Sequence, residues 1–370
     1  MTPDPPPAPP AGGATCPSCG GPVDPQDNFC ESCRTELAPA VVSGEAPRHA
    51  DVCAYCQSAE ITPDGYCEAC GHKQPSSRDH TEIDLGGLAG VTDRGLRHRR
   101  NEDAMALAAT ELDGGPAVVA VVCDGVSSTR RPDEASLAAA QAAVHVLLAG
   151  VRTGEDLIEA SREAVAAAQE AVVELGDLPG GSSPWKDAPS ATFVSAVMTS
   201  HAVTLCWLGD SRAYWLGDGP GAAAQRLTRD DSVAGEMIAA GLMSEADALR
   251  LPQAHVVTGW VGADQDDATP HVARFEPPGP GVLLLCSDGL WNYQPEAAKL
   301  ADLALPQALT DPLGAAARLV RFALDAGGVD NVTVVLAAFP LTSVPPRRPD
   351  EPAAPAPPSD PEEKPTDEPG

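Results

Sequence analysis

AVVAVVCDG, residues 117–125, is a run of apolar and β-branched residues that ends in an aspartate and a glycine. A run of this kind, bounded by turn residues, predicts a buried β-strand. Similar runs follow at residues 191–200, 202–210, 281–289 and 331–339. Residues 135–149 and 155–175 instead carry apolar residues every three or four positions, which predicts helices. Two of the strand-like runs follow each other directly and predict an antiparallel hairpin. The mixture predicts an α+β fold with sheets packed inside helices.

Aspartates stand at the ends of three of these runs. Asp124 and Asp288 each close a run and precede a glycine, and Asp330 stands just before another run. Buried like charges are costly, so a divalent cation is the natural compensation, and all-oxygen ligands favour magnesium or manganese over zinc. A single Asp-Gly pair would more simply be a turn. Three instances on matching runs weaken that interpretation.

Six segments form an ordered set of motifs over residues 81–340. They are TDRGLRHRRNEDAM (92–105), VVCDGVSS (121–128), ATFVSAV (191–197), LGDSRAYWL (208–216), LLCSDGLWN (284–292) and GGVDNVTVV (327–335). The set resembles the motifs of the metal-dependent serine/threonine protein phosphatases of the type-2C (PPM) family, in its bacterial form. The resemblance implies a four-layer αββα sandwich with a metal centre at one end of the sheets.

The resemblance also implies a role for each matching position. Asp124 would bridge two magnesium or manganese ions, Glu102 and Asp103 would hold the second largely through waters, and a weaker third ion would use Asp210. A hydroxide that bridges the two metals would attack the phosphate of phosphoserine or phosphothreonine in line, so no protein nucleophile is needed. The implied metal ligands are Glu102, Asp103, Asp124, Gly125, Asp210, Asp288 and Asp330, and the implied catalytic residues are His98, Arg100, Asp103 and Asp124.

Two positions depart from the family pattern. His98 stands where many members carry an arginine that grips the substrate phosphate, and it lacks the fixed bidentate fork of arginine. Arg97, Arg99 and Arg100 are neighbours that can supply this charge, so the sequence leaves the phosphate-binding residue open. Asn292 replaces an aspartate that helps to bind the third metal in some members. A catalytically weak or inactive phosphatase-fold scaffold or phosphoprotein sensor is therefore the alternative, and the filled metal positions weigh against it.

Two four-cysteine modules precede the phosphatase-like region. CPSCGGPVDPQDNFCESC (16–33) and CAYCQSAEITPDGYCEAC (53–70) each contain two C-x2-C pairs separated by ten residues. In a reducing compartment this spacing is typical of zinc rather than of disulfides. Four thiolates leave no open coordination position, so two structural zinc ions are predicted. Their ligands would be Cys16, Cys19, Cys30, Cys33, Cys53, Cys56, Cys67 and Cys70.

The charge of the chain favours protein partners. The formal net charge is −29, and between Cys16 and Cys70 the only basic side chains are Arg34, Arg48 and His49. A nucleic-acid-binding ribbon would need interleaved basic and aromatic residues. We expect the ribbons to dock a phosphorylated protein, a Ser/Thr kinase or its target, with no nucleic acid and no membrane as partner. The absence of a signal-like or membrane-spanning run predicts a cytoplasmic location.

The predicted domain order follows from these features. A disordered Pro-rich segment (1–13), a first zinc ribbon (14–37), a linker (38–50), a second ribbon (51–74) and a linker (75–80) precede the phosphatase domain (81–340), and a disordered acidic Pro-rich tail (341–370) follows it. Within the phosphatase domain, residues 228–262 resemble the flap beside the active site, including its helical hairpin.

Overall fold

The computed structural model describes residues 42–43, 58, 60, 62, 66–69 and 77–341, the last range without 113, 177–187, 220–221, 263 and 266–268. The predicted Pro-rich ends and most of the two predicted ribbons lie outside these residues. Of the predicted zinc ligands, Cys67 is described and is buried. The predicted ligands outside the described residues are Cys16, Cys19, Cys30, Cys33, Cys53, Cys56 and Cys70.

Along the described part of the chain, groups of successive strands are separated by groups of one to three helices. In order they are β1 (Val42–Ser43), a 3-10 helix (Ser77–Asp79), β2 (His80–Asp84), β3 (Leu88–Asp93), β4 (Asp103–Leu112), β5 (Gly115–Asp124), α1 (Pro132–Thr153), α2 (Leu157–Gly176), β6 (Ser190–Ala191), β7 (Phe193–Met198), β8 (Val203–Leu208), β9 (Arg212–Gly217), β10 (Ala224–Arg226), α3 (Val233–Ala239), α4 (Glu245–Ala248), β11 (Val261–Gly262), β12 (His271–Phe275), β13 (Gly281–Cys286), α5 (Asp288–Trp291), α6 (Ala297–Ala308), α7 (Pro312–Asp325) and β14 (Val332–Phe339).

The strands form two six-stranded antiparallel sheets. The spatial order is β1-β4-β5-β7-β8-β12 in the first sheet and β10-β9-β13-β14-β3-β2 in the second. The predicted hairpin is confirmed by the antiparallel pairing of β7 with β8. Strand β1 lies inside the segment predicted as a linker and pairs with the edge of β4. The mixed α+β content and the antiparallel sheets agree with the predicted fold class.

The central strands are apolar throughout because both of their faces are buried. In β5, Val119 and Val121 join the cluster beneath the helices, whereas Val118 and Val122 join the cluster between the sheets. Successive side chains of a strand point to opposite faces. A strand covered on both sides therefore needs apolar residues at every position, which explains the uninterrupted run that first indicated the fold.

The helices cover the outer faces of the sheets. Helices α1 and α2 pack on the first sheet, and α6 and α7 pack on the second. By length and composition α1 would suit a bilayer, but 56% of its most apolar window is buried inside the protein. Its buried residues recur every three or four positions and contact β4, β5 and α2. The apolar character of α1 thus belongs to the core.

Strand direction brings the predicted site residues to one end of the sheets. Asp103 begins β4 and is paired in register with Asp124, which ends β5. Strand β8 runs parallel to β5, two strands away, so the turn that holds Asp210 lies at the same end. In the second sheet Asp288 follows the end of β13 and Asp330 precedes the start of its antiparallel neighbour β14.

Candidate active site

Asp103 ties the two sheets together at this end of the molecule. Its Oδ2 accepts hydrogen bonds of 2.7 Å from the hydroxyl groups of Ser287, directly after β13, and Thr333, in β14 of the second sheet. The side chain is almost fully buried, with 2% of its residue surface exposed. Oδ1 is buried and has no hydrogen-bond partner among the described residues. One oxygen of Asp103 is therefore fixed, and the other is left for a cation.

Glu102 is held from both its backbone and its side chain. Its backbone N–H donates to Oδ1 of Asn331 at 2.8 Å, and Ser136 donates to its carbonyl oxygen. The carboxylate accepts hydrogen bonds from Arg100 Nε at 3.0 Å and from the hydroxyl of Ser127. A side chain restrained at each end is oriented before any ligand arrives.

Asn331, just before β14, holds the loop between β3 and β4 at three points. Besides accepting the hydrogen bond from Glu102, its amide donates to the carbonyl oxygens of Arg94 at 2.7 Å and Arg100 at 3.1 Å. The residue is buried, and all three of these bonds are to backbone groups. Asn331 thus fixes the loop that carries His98, and an aspartate there would lose both donors.

Gly125 lies where no side chain fits. A Cβ at this position would stand 2.3 Å from the carbonyl oxygen of Pro132 and 2.7 Å from that of Glu102. The backbone N–H of Gly125 also donates to the Glu102 carbonyl at 3.1 Å. The glycine that follows Asp124 is therefore required by close backbone packing at the start of the loop, as well as by the turn.

His98 and Arg100 both reach the carboxylates, so both phosphate-binding candidates lie at the site. His98 Nε2 is 3.1 Å from Asp330 Oδ1, and its Nδ1 is 3.9 Å from a Glu102 carboxylate oxygen. Arg100 contacts Glu102 and, through Nη1, Asp133 at 3.3 Å. The two residues therefore meet at Glu102, with His98 on the side of Asp330 and Arg100 on the side of Asp133.

Asn292 donates a hydrogen bond of 2.9 Å to Asp288 Oδ2. Asp288 stands at the start of α5, and its buried Oδ1 has no hydrogen-bond partner among the described residues. The Asn292 amide therefore satisfies one oxygen of Asp288 with a hydrogen bond, and the second oxygen could accept another ligand. An aspartate at position 292 would instead add a charge next to Asp288.

The carboxyl groups at this end repel one another. Burial is the main cause that raises the pKa of Asp103 to about 7; the charge of Asp330 acts in the same direction, and the hydrogen bonds from Ser287 and Thr333 act against it. Burial, and to a smaller extent the negative charge of Asp230, raises the pKa of Asp210 to about 7. Burial and neighbouring carboxylates also raise the pKa of Asp124 and Asp288 well above the ordinary range.

These residues fit a site for divalent cations. Buried carboxyl groups that raise one another's pKa, together with two buried carboxylate oxygens that accept no hydrogen bond, are what a hard cation would neutralise. Within the described ranges, no three His, Cys, Asp or Glu side chains have the spacing of a filled metal site. The fit therefore rests on the donor chemistry and on the uncompensated charge.

A buried ion pair joins the site to the flap. Arg212 bonds Asp230 through two nitrogens, at 2.9 and 2.6 Å, and its guanidinium lies 3.6 Å from the ring centre of Trp291. The Trp291 indole in turn donates to the carbonyl oxygen of Asp210 at 2.9 Å. Asp230 precedes α3 and α4, which confirm the helical hairpin predicted for the flap. The base of the flap is thus anchored next to Asp210.

Residues 94–320 match the protein family described as protein phosphatase 2C. The chain belongs to the protein phosphatase 2C family. The prediction of a protein-serine/threonine phosphatase is confirmed at the level of this family and its named relatives.

Relatives of this protein phosphatase 2C chain are bacterial. It is 29% identical over 258 residues to the serine/threonine phosphatase Stp of Listeria monocytogenes, covering 68% of this chain and 95% of that protein. The PPM Ser-Thr phosphatase MsPP of Mycobacterium smegmatis, solved in complex with cacodylate, matches with a TM-score of 0.52 and 31% identity over 67% of this chain and 96% of that one. The catalytic domain of PstP, solved with two manganese ions, has the same fold, with a TM-score of 0.52 and 24% identity over 68% of this chain and 96% of that one.

Sequence reasoning missed the neutral side chains that position the carboxylates of this protein phosphatase 2C chain. Ser287, Thr333 and Asn331 bond Asp103 and Glu102, and Thr192 donates its backbone N–H to the Asp124 carbonyl. Their signal was present as polar residues inside or directly beside apolar strands. A buried hydroxyl or amide needs a partner, so such residues predict a hydrogen bond even when the partner is unknown.

Proposed function

We propose that this chain is a metal-dependent phosphatase of phosphoserine and phosphothreonine in proteins, and that its helices and sheets stack in four layers as the resemblance implies. The observation that carries the proposal is the group of buried and half-buried carboxyl groups of Asp103, Asp124 and Asp288, two of which keep a buried oxygen without a hydrogen-bond partner among the described residues. Two manganese ions bound to PstP support the same metal for this chain, and magnesium is the alternative with similar ligand preferences.

The ligand set we propose includes every position that the sequence indicated. Two manganese or magnesium ions bound next to each other would activate a water molecule and offset the negative charge of the phosphoryl group that this water attacks. The residues that would hold the two ions are Glu102, Asp103, Asp124, Gly125, Asp288 and Asp330, and Asp210 would hold a third, weaker one with Asp288.

The chain's own side chains orient these ligands. Ser287 and Thr333 hold one oxygen of Asp103, so that the free oxygen points away from them. Arg100 and Ser127 hold the Glu102 carboxylate. Because these donors are in place before the ions and the substrate, little reorganisation is needed during the reaction.

We propose that His98 and Arg100 bind the substrate phosphate. Both carry ring or guanidinium N–H groups within 4 Å of the ligand carboxylates, so a phosphate that reaches the ions would meet them. Arg100 is partly exposed, which leaves its remaining donors accessible.

Hydrolysis of a phosphothreonine peptide by the full chain tests this function. Turnover should vanish in EDTA and return when manganese or magnesium is added. His98→Ala and Arg100→Gln should each raise KM for the peptide more than they lower kcat, because both act on ground-state phosphate binding. A protein that binds manganese and phosphopeptide yet releases no phosphate would instead be the sensor or scaffold of the alternative reading.

We also propose that the two cysteine modules bind zinc and dock the phosphoprotein. Among the described residues of the second module, Glu68 N–H donates to Glu60 O at 2.9 Å and Thr62 N–H donates to Tyr66 O at 2.7 Å, which is the pairing of a tight hairpin. Cys67 is buried beside it. A Ser/Thr kinase or its target is the partner we propose, in the cytoplasm, with no nucleic acid or membrane involved.

A variant that keeps β1 tests the docking role of the ribbons. Cys67→Ser with Cys70→Ser should remove one ribbon without removing the strand that pairs with β4. Activity on p-nitrophenyl phosphate should stay within twofold of the parent, while activity on the physiological phosphoprotein falls. Equal losses on both substrates would show that the ribbon supports the catalytic domain rather than the substrate.

A further inference from the structure

Two loops beside the candidate active site carry exposed apolar side chains. Leu96 is 64% exposed and Val329 is 55% exposed, and among the described residues few large apolar side chains reach solvent. The loops are packed together: Leu96 N–H donates to Gly328 O at 2.8 Å, and a Cβ on Gly328 would lie 2.8 Å from Leu96 Cγ. The two apolar side chains therefore belong to one surface.

The loop that carries Leu96 is rich in basic residues, although the protein as a whole is acidic. The chain has 24 lysines and arginines against 53 aspartates and glutamates, yet residues 94–100 contain four arginines and a histidine. Arg97 and Arg99 are exposed, and neither forms an ion pair within the described part of the chain. Arg94 and Arg100, in contrast, are bound to acidic groups. Among the described residues, the positive charges of Arg97 and Arg99 thus lack an acidic partner.

Site residues and surface residues alternate along both loops. His98, between Arg97 and Arg99, turns inward to Asp330, and Asp330 directly follows Val329. Leu96, Arg97 and Arg99 are thus within two residues of His98, and Val329 is next to Asp330, so all four exposed side chains border the place where a substrate phosphate would lie. We name these four residues the basic ledge.

We propose that the basic ledge docks the segment of the phosphoprotein that flanks the phosphorylated residue, and that it selects segments with acidic residues next to an apolar one. The proposal rests on the proposed phosphatase function. Charge complementarity identifies the occupant, because Arg97 and Arg99 have no acidic partner among the described residues and attract an acidic segment locally, although the chain as a whole has a net charge of −29. Leu96 and Val329 would cover one apolar side chain of that segment and remove it from water.

The test compares two phosphothreonine peptides that differ only beside the phosphorylated residue. One carries aspartates and a leucine, and the other carries asparagines and a glycine in the same positions. The readout is kcat/KM on each peptide divided by kcat/KM on p-nitrophenyl phosphate, which has no flanking residues. In the parent chain we expect the acidic, apolar peptide to be preferred, and we expect added salt to reduce that preference.

Arg97→Gln with Arg99→Gln should lower the normalised rate on the aspartate peptide by about fivefold and leave that on the asparagine peptide near its parent value. Leu96→Ser with Val329→Ser should remove the preference for leucine over glycine by a similar factor. Arg162→Gln with Arg274→Gln is the matched control, because both arginines are about half exposed or more and the net charge changes equally. Melting temperatures of all variants exclude unfolding as the cause.

Equal normalised rates on the two peptides in the parent chain, or a preference that survives in the ledge variants, would overturn the proposal. Parallel losses on p-nitrophenyl phosphate and on both peptides would also overturn it, because the ledge would then be needed for the shape of the catalytic site. Absence of metal-dependent turnover on every substrate would contradict the phosphatase function instead. In that case binding of the two peptides to the parent and to the ledge variants, followed by fluorescence polarisation, still tests the docking surface.

Discussion

Asp103 on the first sheet and Thr333 on the second are joined by a hydrogen bond of 2.7 Å across 230 residues of sequence. Thr333 is fully buried, and its hydroxyl is also 2.7 Å from that of Thr92. The pair fixes one oxygen of a predicted metal ligand and links the two sheets at the same point. We therefore expect stability and metal binding to be coupled through this residue.

Thr333→Val keeps the shape of the side chain and removes the hydroxyl. We expect a loss of about 1 to 3 kcal/mol in the free energy of unfolding, because Asp103 is left with one donor fewer in a buried place. The affinity for manganese should fall as well. Urea unfolding and calorimetric titration measure the two effects, and Thr310→Val, at an exposed position, is the control. Unchanged manganese affinity would show that Ser287 alone suffices to hold Asp103.

Asp230→Ala should destabilise the protein by about 3 to 5 kcal/mol, because it leaves the fully buried guanidinium of Arg212 without its partner. Glu245→Ala removes the partner of the partly exposed Arg226 and should cost less than about 1 kcal/mol. Urea unfolding of the two variants gives the comparison. Similar losses in both would mean that water reaches Arg212 when Asp230 is absent.

Stability of the metal-free protein should fall as pH rises from about 4 to about 7. Burial raises the pKa of Asp103 and Asp210 to about 7 in the folded state, whereas an unfolded aspartate titrates near about 3.9. In this window the folded state keeps protons that the unfolded state has released, so rising pH favours unfolding. Melting temperatures in EDTA should therefore be lower at pH 7.5 than at pH 5.

Two controls separate these carboxyl groups from the general acidity of the chain. Asp103→Asn with Asp210→Asn should flatten the pH dependence of the melting temperature in EDTA. Excess manganese should also raise the melting temperature most at the higher pH, because the cation binds the ionised carboxylates. A pH dependence that both treatments leave unchanged would assign the effect to repulsion elsewhere on the surface.

Zinc content tests the cysteine modules. The parent chain should bind two zinc ions, and Cys67→Ser should bind one, because three thiolates no longer close a tetrahedral site. Inductively coupled plasma mass spectrometry of the purified proteins measures the ratio. Cys286→Ser is the matched control, since that buried cysteine lies in β13 outside both modules. Equal zinc in parent and Cys67→Ser would exclude Cys67 as a ligand.

The sequence was sufficient to predict the position of the candidate site but not its internal contacts. Asp124 and Asp288 could be placed because each ends an apolar run, whereas the packing that brings β5 and β13 together from two different sheets is not visible in either run. The bonds from Thr333 and Ser287 to Asp103 join residues that are 230 and 184 positions apart, and no local pattern specifies which buried hydroxyl meets which carboxylate. The run at 191–200 was predicted as one strand, but the structure divides it into β6 and β7 at Thr192, whose hydroxyl bonds Ser211.

The phosphate-binding residue is a second feature that the sequence predicted only in part. The motif indicated that a basic residue is needed there, and the structure places both His98 and Arg100 on the carboxylates. The choice between them depends on side-chain directions, which alternate along the loop in a way that composition does not reveal. Arg97 and Arg99 turn outward for the same reason and were not separable from Arg100 by sequence.

The most direct test of the account is the manganese-dependent hydrolysis of p-nitrophenyl phosphate by the full chain and by Asp288→Asn. This substitution keeps the size of a buried side chain whose pKa is raised by burial and by Asp210, and it removes only the charge. Asp302→Asn, at an exposed position of α6, is the control. We predict metal-dependent turnover in the parent and the control, and a loss of at least about a hundredfold in kcat/KM for Asp288→Asn. Equal turnover in all three proteins would contradict a metal centre built on these carboxylates.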